Sequence, residues 1–332
     1  MLQEAIPSPS GFPDSAGVED RPLTRGLWIR NTAALVVDDA QTQRLIDVAK
    51  TINVTDVYLY VAPGWYNEKG ADIAKFNAKV TAAGIKVWAL DGKINYIDNL
   101  TTDEAYMDGL RDLMKFNELV EPNSRFHGFQ ADIQPQDTAQ HSGWFQNDVP
   151  ESMLEPEQHT KRDILMHIWL NALTRSSAFM HSYDMPFGAA VPWWLHDCGG
   201  EPVTLPWVSK TPEGMSERTC MMDLIMPLCD EYMVMSCVSD PAFAARRTLQ
   251  QARHASVKEM EGHKMPRVLC SLDATKDAGI CVPIGDPRNP PEKDARAAML
   301  KHLAKMERTM QKYPAFSGIA IHDWCAWDEL SS

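Results

Sequence analysis

Eight short runs of β-branched and aromatic residues, each followed by a stretch of helical periodicity, limit the fold of this chain more than any other feature. The runs are 26–30, 57–62, 85–90, 126–133, 187–194, 232–238, 267–273 and 316–324. Between them, apolar residues recur on one helical face, as with Leu45, Val48, Ala49 and Ile52 behind a cap at Asp39. Ile73, Phe76 and Val80 repeat the pattern, as do Ile164, Leu165, Ile168, Trp169 and Ala172. A helix over 215–228 follows the fifth run, and Asp240-Pro241 opens another that runs to Gly262. Strands separated by helices imply a parallel sheet, because parallel neighbours need a crossover. Eight such units predict an α/β fold, a single (β/α)8 TIM barrel over 26–332. Residues 1–25, rich in Pro, Ser and Gly, read as a flexible lead-in. The competing fold, a doubly wound open sheet, would show a Gly-rich phosphate loop after its first strand, where this chain has Arg30-Asn31-Thr32-Ala33. The loops 135–155, 195–214 and 274–292 follow strands four, five and seven and are expected on one face.

The charge balance narrows the partners. Forty-five Asp and Glu against 32 Lys and Arg leave the 332 residues at −13, which repels phosphate backbones and anionic membranes. No run approaches the roughly 20 apolar residues that cross a bilayer. The seven cysteines form no CxxC pair, so a structural zinc is not expected. Buried thiols are the simplest reading, although Cys198 and Cys281 sit in loops where an exported protein would form disulfides. Two Asn-x-Thr tripeptides, at Asn53 and Asn99, accompany this. No signal peptide is visible, and an extracellular location is favoured over a cytoplasmic one.

Barrel chemistry belongs at the C-terminal ends of the strands. Carboxylates fall there at Asp91, Asp132, Asp273 and Asp323, with His322 beside the last. Most of the ten tryptophans fall there too, among them Trp28, Trp65, Trp193, Trp194 and Trp324. Aromatic faces stack on the C–H faces of sugar rings, and carboxylates bind hydroxyls or move protons. That pairing predicts a carbohydrate substrate. The ten histidines contain no HxH and no HExxH, so neither a metal nor a cofactor is expected.

Gly128-Phe129-Gln130-Ala131-Asp132-Ile133-Gln134-Pro135 resembles the fourth-strand signature Gly-x-x-x-Asp-x-Glu-Pro of a loose group of glycoside-hydrolase-like barrels. Trp88-Ala89-Leu90-Asp91-Gly92, Val191-Pro192-Trp193-Trp194 and Gly318-Ile319-Ala320-Ile321-His322 are similar in the same order. Chitinase-type barrels also carry Asp-x-Glu there and a Trp closing strand eight, as Trp324 does, with a Tyr after a Met on strand six, where this chain has Met235-Ser236.

The resemblance implies a glycosidase and puts its general acid at position 134, which is Gln here. Three explanations stand side by side: an engineered Glu-to-Gln exchange, an enzyme using other carboxylates such as Asp132 with Asp273, and a barrel that binds sugar without cleaving it. The working assignment makes Asp132, Gln134 and Asp273 the catalytic set. Trp28, Trp65, Asp91, Trp193, Trp194, His322, Asp323 and Trp324 are assigned to substrate binding. Alternation along a strand places 132 and 134 on one side. A hydrolase of another class, including metal-assisted amide hydrolysis through His322 and Asp323, is the remaining alternative.

Overall fold

The computed structural model describes residues 22–93, 95–98, 104–137, 149–207, 217–236, 238, 240–274 and 295–329. Its barrel strands are β1 (Thr24–Ile29), β2 (Asp56–Tyr60), β3 (Lys86–Asp91), β4 (Gly128–Ala131), β5 (Phe187–Pro192), β6 (Glu231–Met235), β7 (Arg267–Asp273) and β8 (Phe316–His322). Each pairs in parallel with the next, and β8 with β1, so the sheet closes into the expected (β/α)8 barrel. β1 begins at Thr24, just ahead of the expected boundary at 26.

The elements form where periodicity placed them, with local differences. Asp38, not Asp39, caps the first long helix, accepting from the backbone N–H of Ala40 and Gln41 at 2.9 and 3.1 Å. Asp240 does the same for Pro241–Met260. The expected helix over 215–228 is shorter: Glu217–Cys220 is a strand pairing antiparallel with Thr204–Trp207, and helix begins only at Met221. Val203 and Leu205 are buried two residues apart, a strand signal that Pro206 obscures in so short a segment. The long loops leave the C-terminal ends of β4, β5 and β7, which parallel pairing puts at one end of the barrel. Residues 138–148, 208–216 and 275–294 of those loops lie outside the described residues.

The pleat sorts side chains between two cores. Leu27, Ile29, Val57, Leu59, Phe129 and Ala131 face the helices. Trp28, Tyr58, Trp88, Leu90, Met233 and Leu269 fill the lumen. At the N-terminal end the lumen is polar. Glu231, fully buried, accepts from Tyr58 Oη at 2.5 Å and pairs with Arg267 at 2.8 Å, while Trp88 Nε1 donates to Asp56 at 2.8 Å. Gln130, equally buried, lies so close to Gly188 that a Cβ there would collide with its carbonyl oxygen. Burial lifts the Glu231 carboxyl to about 7, with Arg267 and the Tyr58 hydroxyl pulling it back only part of the way.

A carboxyl whose folded pKa exceeds its unfolded value binds its proton more tightly in the folded chain. Its contribution is therefore complete below about pH 4.5 and is lost as pH rises through about 7. Glu231→Gln removes that loss. Between those limits its unfolding free energy, from urea titrations, is expected to gain on the parent's by up to about 3 kcal/mol. An unchanged difference across that range would refute the assignment.

Candidate functional site

At the C-terminal mouth, β4 ends at Ala131, and the next residues continue its alternation: Ile133 joins the outer core while Asp132 and Gln134 meet each other. Gln134 Nε2 donates to Asp132 Oδ1 at 2.6 Å. Arg30, just past β1, donates to Asp132 Oδ2 at 2.6 Å. Gln136 Nε2 extends the chain by donating to Gln134 Oε1 at 2.9 Å. Asp132 is buried, with an ion partner on one oxygen and an amide on the other, which offsets its desolvation. Gly92 makes this approach possible. Its Cα lies against the Asp132 carbonyl, which any Cβ would strike, and Asp132 N donates to Asp91 O at 2.9 Å.

From Arg30 the line continues across the floor of the mouth. The guanidinium lies 5.2 Å from the Trp28 ring, the Trp28 ring meets the His322 imidazole nearly edge-on at 5.3 Å, and His322 Nδ1 lies 4.0 Å from Asp273 Oδ1. His322 and Asp273 are register partners on β8 and β7. Of the expected catalytic set, Asp132 and Gln134 thus touch directly, and Asp273 joins them through this chain of neighbours. Tyr60, the last residue of β2, and Trp65, both half-buried, form an edge-to-face pair at 6.1 Å. Burial, then the Asp91 charge, raises the Tyr60 pKa. Burial and then Asp132 raise that of Asp137.

Other expected site residues sit elsewhere. Asp91 shares parity with Ala89, so while Trp88 and Leu90 point into the lumen it points outward to the helix layer. There Tyr96 Oη and Gly92 N donate to it at 2.9 and 2.8 Å, beside Tyr66, Tyr106 and Phe129. Asp91, expected among the sugar-binding groups, thus faces the helix layer. Burial lifts its carboxyl to about 6 despite those two bonds. Asp323 accepts from Ala326 N at 3.0 Å and starts the short helix Trp324–Glu329. Trp28 is wholly buried, donating to Met233 Sδ at 3.1 Å. Trp194 and Trp324 belong to the outer core. All three rings are buried. Trp193 is half-exposed, with the Arg247 guanidinium 4.0 Å from its ring centroid.

Arg30, Tyr60 and Gln136 were not among the expected site residues. The parity that puts Trp28 and Tyr58 in the lumen also assigns Arg30 and Tyr60 to it, once the inner face of each strand is known. The loops after β4 and β5 are tied by Glu151, which pairs with Arg162 at 2.5 Å and accepts from Thr204 Oγ1 at 2.8 Å. Cys198 Sγ donates to Val149 O at 3.4 Å, and Cys281 lies outside the described residues. Among the described residues no three His, Cys, Asp or Glu side chains gather as a metal site, and no helix is long and apolar enough to cross a membrane.

No family model matches the sequence, and no curated protein does. Solved structures do resemble it. A chitinase from Chromobacterium violaceum is 10% identical over 92% of this chain and 98% of that one, with a TM-score of 0.46. A GH18 chitinase from Flavobacterium johnsoniae is 7% identical over 92% and 89%, with a TM-score of 0.45. A GH18 chitinase from Cycas revoluta in complex with (GlcNAc)3 is 11% identical over 76% and 68%, with a TM-score of 0.40.

The outward orientation of Asp91 separates stability from binding. Asp91→Asn is expected to leave ligand affinity at the mouth within about twofold, by calorimetry. It also removes a carboxyl whose raised pKa makes the fold less stable as pH climbs from about 4 to about 6. A folded Asp91→Asn protein that no longer binds what the parent binds would show that the lumen, not the helix layer, uses this side chain.

Proposed function

We propose that this chain is a glycoside-hydrolase-like barrel whose C-terminal mouth takes a poly- or oligosaccharide. The observation that carries the reading is the Asp132–Gln134 hydrogen bond, with Arg30 on the other carboxylate oxygen. A Glu at position 134, set against Asp132 in this way, would share a proton with it. Two neighbouring carboxylates resist double ionisation, so such a Glu would stay protonated closer to neutral pH, as a general acid requires. Gln keeps the shape and one hydrogen bond but has no proton to give. Half-exposed Tyr60, Trp65 and Trp193 supply apolar faces of the kind that sugar rings stack on.

The same amide favours a second reading, a barrel that binds a glycan without cleaving it. Asp132, with protein donors on both oxygens, then serves to orient Gln134 toward the sugar hydroxyls. The two readings differ in one experiment. Gln134→Glu is assayed beside the parent on polysaccharides and aryl glycosides, with binding measured in parallel. A gain of about 10²–10⁴ in rate at unchanged affinity supports the hydrolase ancestry. Binding without turnover in both proteins supports the binding barrel. A protein that binds no glycan at all overturns both.

A further inference from the structure

A glycosidase mouth whose acid position holds an amide needs its proton from elsewhere, and the floor described above contains a group suited to carry one. β7 and β8 run in register, so His322 and Asp273 stand side by side at their ends. Both backbones are pinned: Ala274 N donates to His322 O at 2.7 Å and Asp273 N to Val238 O at 3.0 Å. Nδ1 of the ring faces Oδ1 of the carboxylate at 4.0 Å, and the edge-on Trp28 ring supports the imidazole. The side chains are 23% and 18% exposed, largely desolvated yet reachable from the mouth. A separation of this size between base and orienting group is common before a ligand is bound and closes with a small rotation. A carboxylate beside one imidazole nitrogen decides which of the two holds the proton and which is left to exchange one.

We propose that His322 and Asp273 form a proton-transferring pair, in which Asp273 holds the Nδ1 proton and Nε2 exchanges a proton with a molecule bound in the mouth. The identity of that molecule rests on the carbohydrate reading above. For a glycoside, the protonated ring gives its Nε2 proton to the leaving oxygen as the carbon–oxygen bond breaks and its electron pair passes to that oxygen. Water then adds to the anomeric carbon and returns its surplus proton to Nε2, so one water is consumed and the ring is restored. His322 is the catalytic residue in this scheme, and Asp273 is a positioning residue.

The pair is tested by nitrogen-15 NMR of the histidine rings in the full chain. The neutral His322 ring is expected to carry its proton on Nδ1, to lose that preference in Asp273→Asn and to regain it in Asp273→Glu. Identical tautomers in parent and Asp273→Asn overturn the pair, whatever the mouth binds. The transfer is tested on aryl glycosides with leaving phenols of graded acidity. His322→Asn is expected to lose about 100-fold or more on the poorest leaving group and little on the dinitrophenyl member. An equal loss along the series overturns the proton-transfer role. No turnover of any glycoside by the parent overturns His322 as proton donor to a glycoside, and the NMR result then judges the pair alone.

Discussion

The pleat of a closed barrel decides what this protein can present to a ligand. Each strand alternates between helix layer and lumen, and closure leaves no edge at which the alternation can slip. Trp28 and Arg30, Tyr58 and Tyr60, Asp132 and Gln134, Asp273 and His322 therefore converge on one axis, although 294 residues separate the first from the last. Asp91 ends its strand as plainly as Asp273 does, yet its parity sends it the other way. There it ties the helix that follows β3 to the barrel wall through Tyr96. Being at a strand end is not enough; the last residue must also be an inward one.

This distinction explains how much of the molecule the sequence reveals. The eight β/α units, the closure and the shared side of Asp132 and Gln134 all follow from periodicity, because burial enforces period 2 in strands and 3.6 in helices. What periodicity along one strand does not convey is which of its two faces is inner. For Asp91 that needed the observation that Trp88 and Leu90 fill the lumen. For Trp194 and Trp324 it needed the knowledge that β5 and β8 stop at Pro192 and His322, so that the aromatic residues beyond them turn back into the outer core. Asp323 has a local role of a related kind, accepting from Ala326 N at the start of the last short helix. A carboxylate one residue before a helix accepts from that helix's N–H groups whatever else it meets, and sequence position alone does not separate this role from ligand binding.

The lumen is divided by polarity along its axis. Its lower half is closed by Glu231, Tyr58 and Arg267, a desolvated charge balanced by one cation and one hydroxyl. Its middle is filled by Trp28, Trp88, Met233 and Leu269. Only above this plug does the Arg30–Asp132–Gln134 network meet the opening. The aromatic layer is thus the floor of the site as well as part of the core. Trp28 shows both roles, since one ring contacts Tyr58 below and His322 above.

The close fit of Gly188 against Gln130 constrains how such a barrel drifts. Among the described residues neither end of the Gln130 amide has a hydrogen-bond partner, so replacing it with a shorter apolar residue relieves a burden. Any side chain at 188 strikes that amide first. Growth at 188 therefore requires the Gln130 amide to swing away or a smaller residue to stand at 130. With a larger residue at 188, the glutamine amide no longer has the space it occupies here.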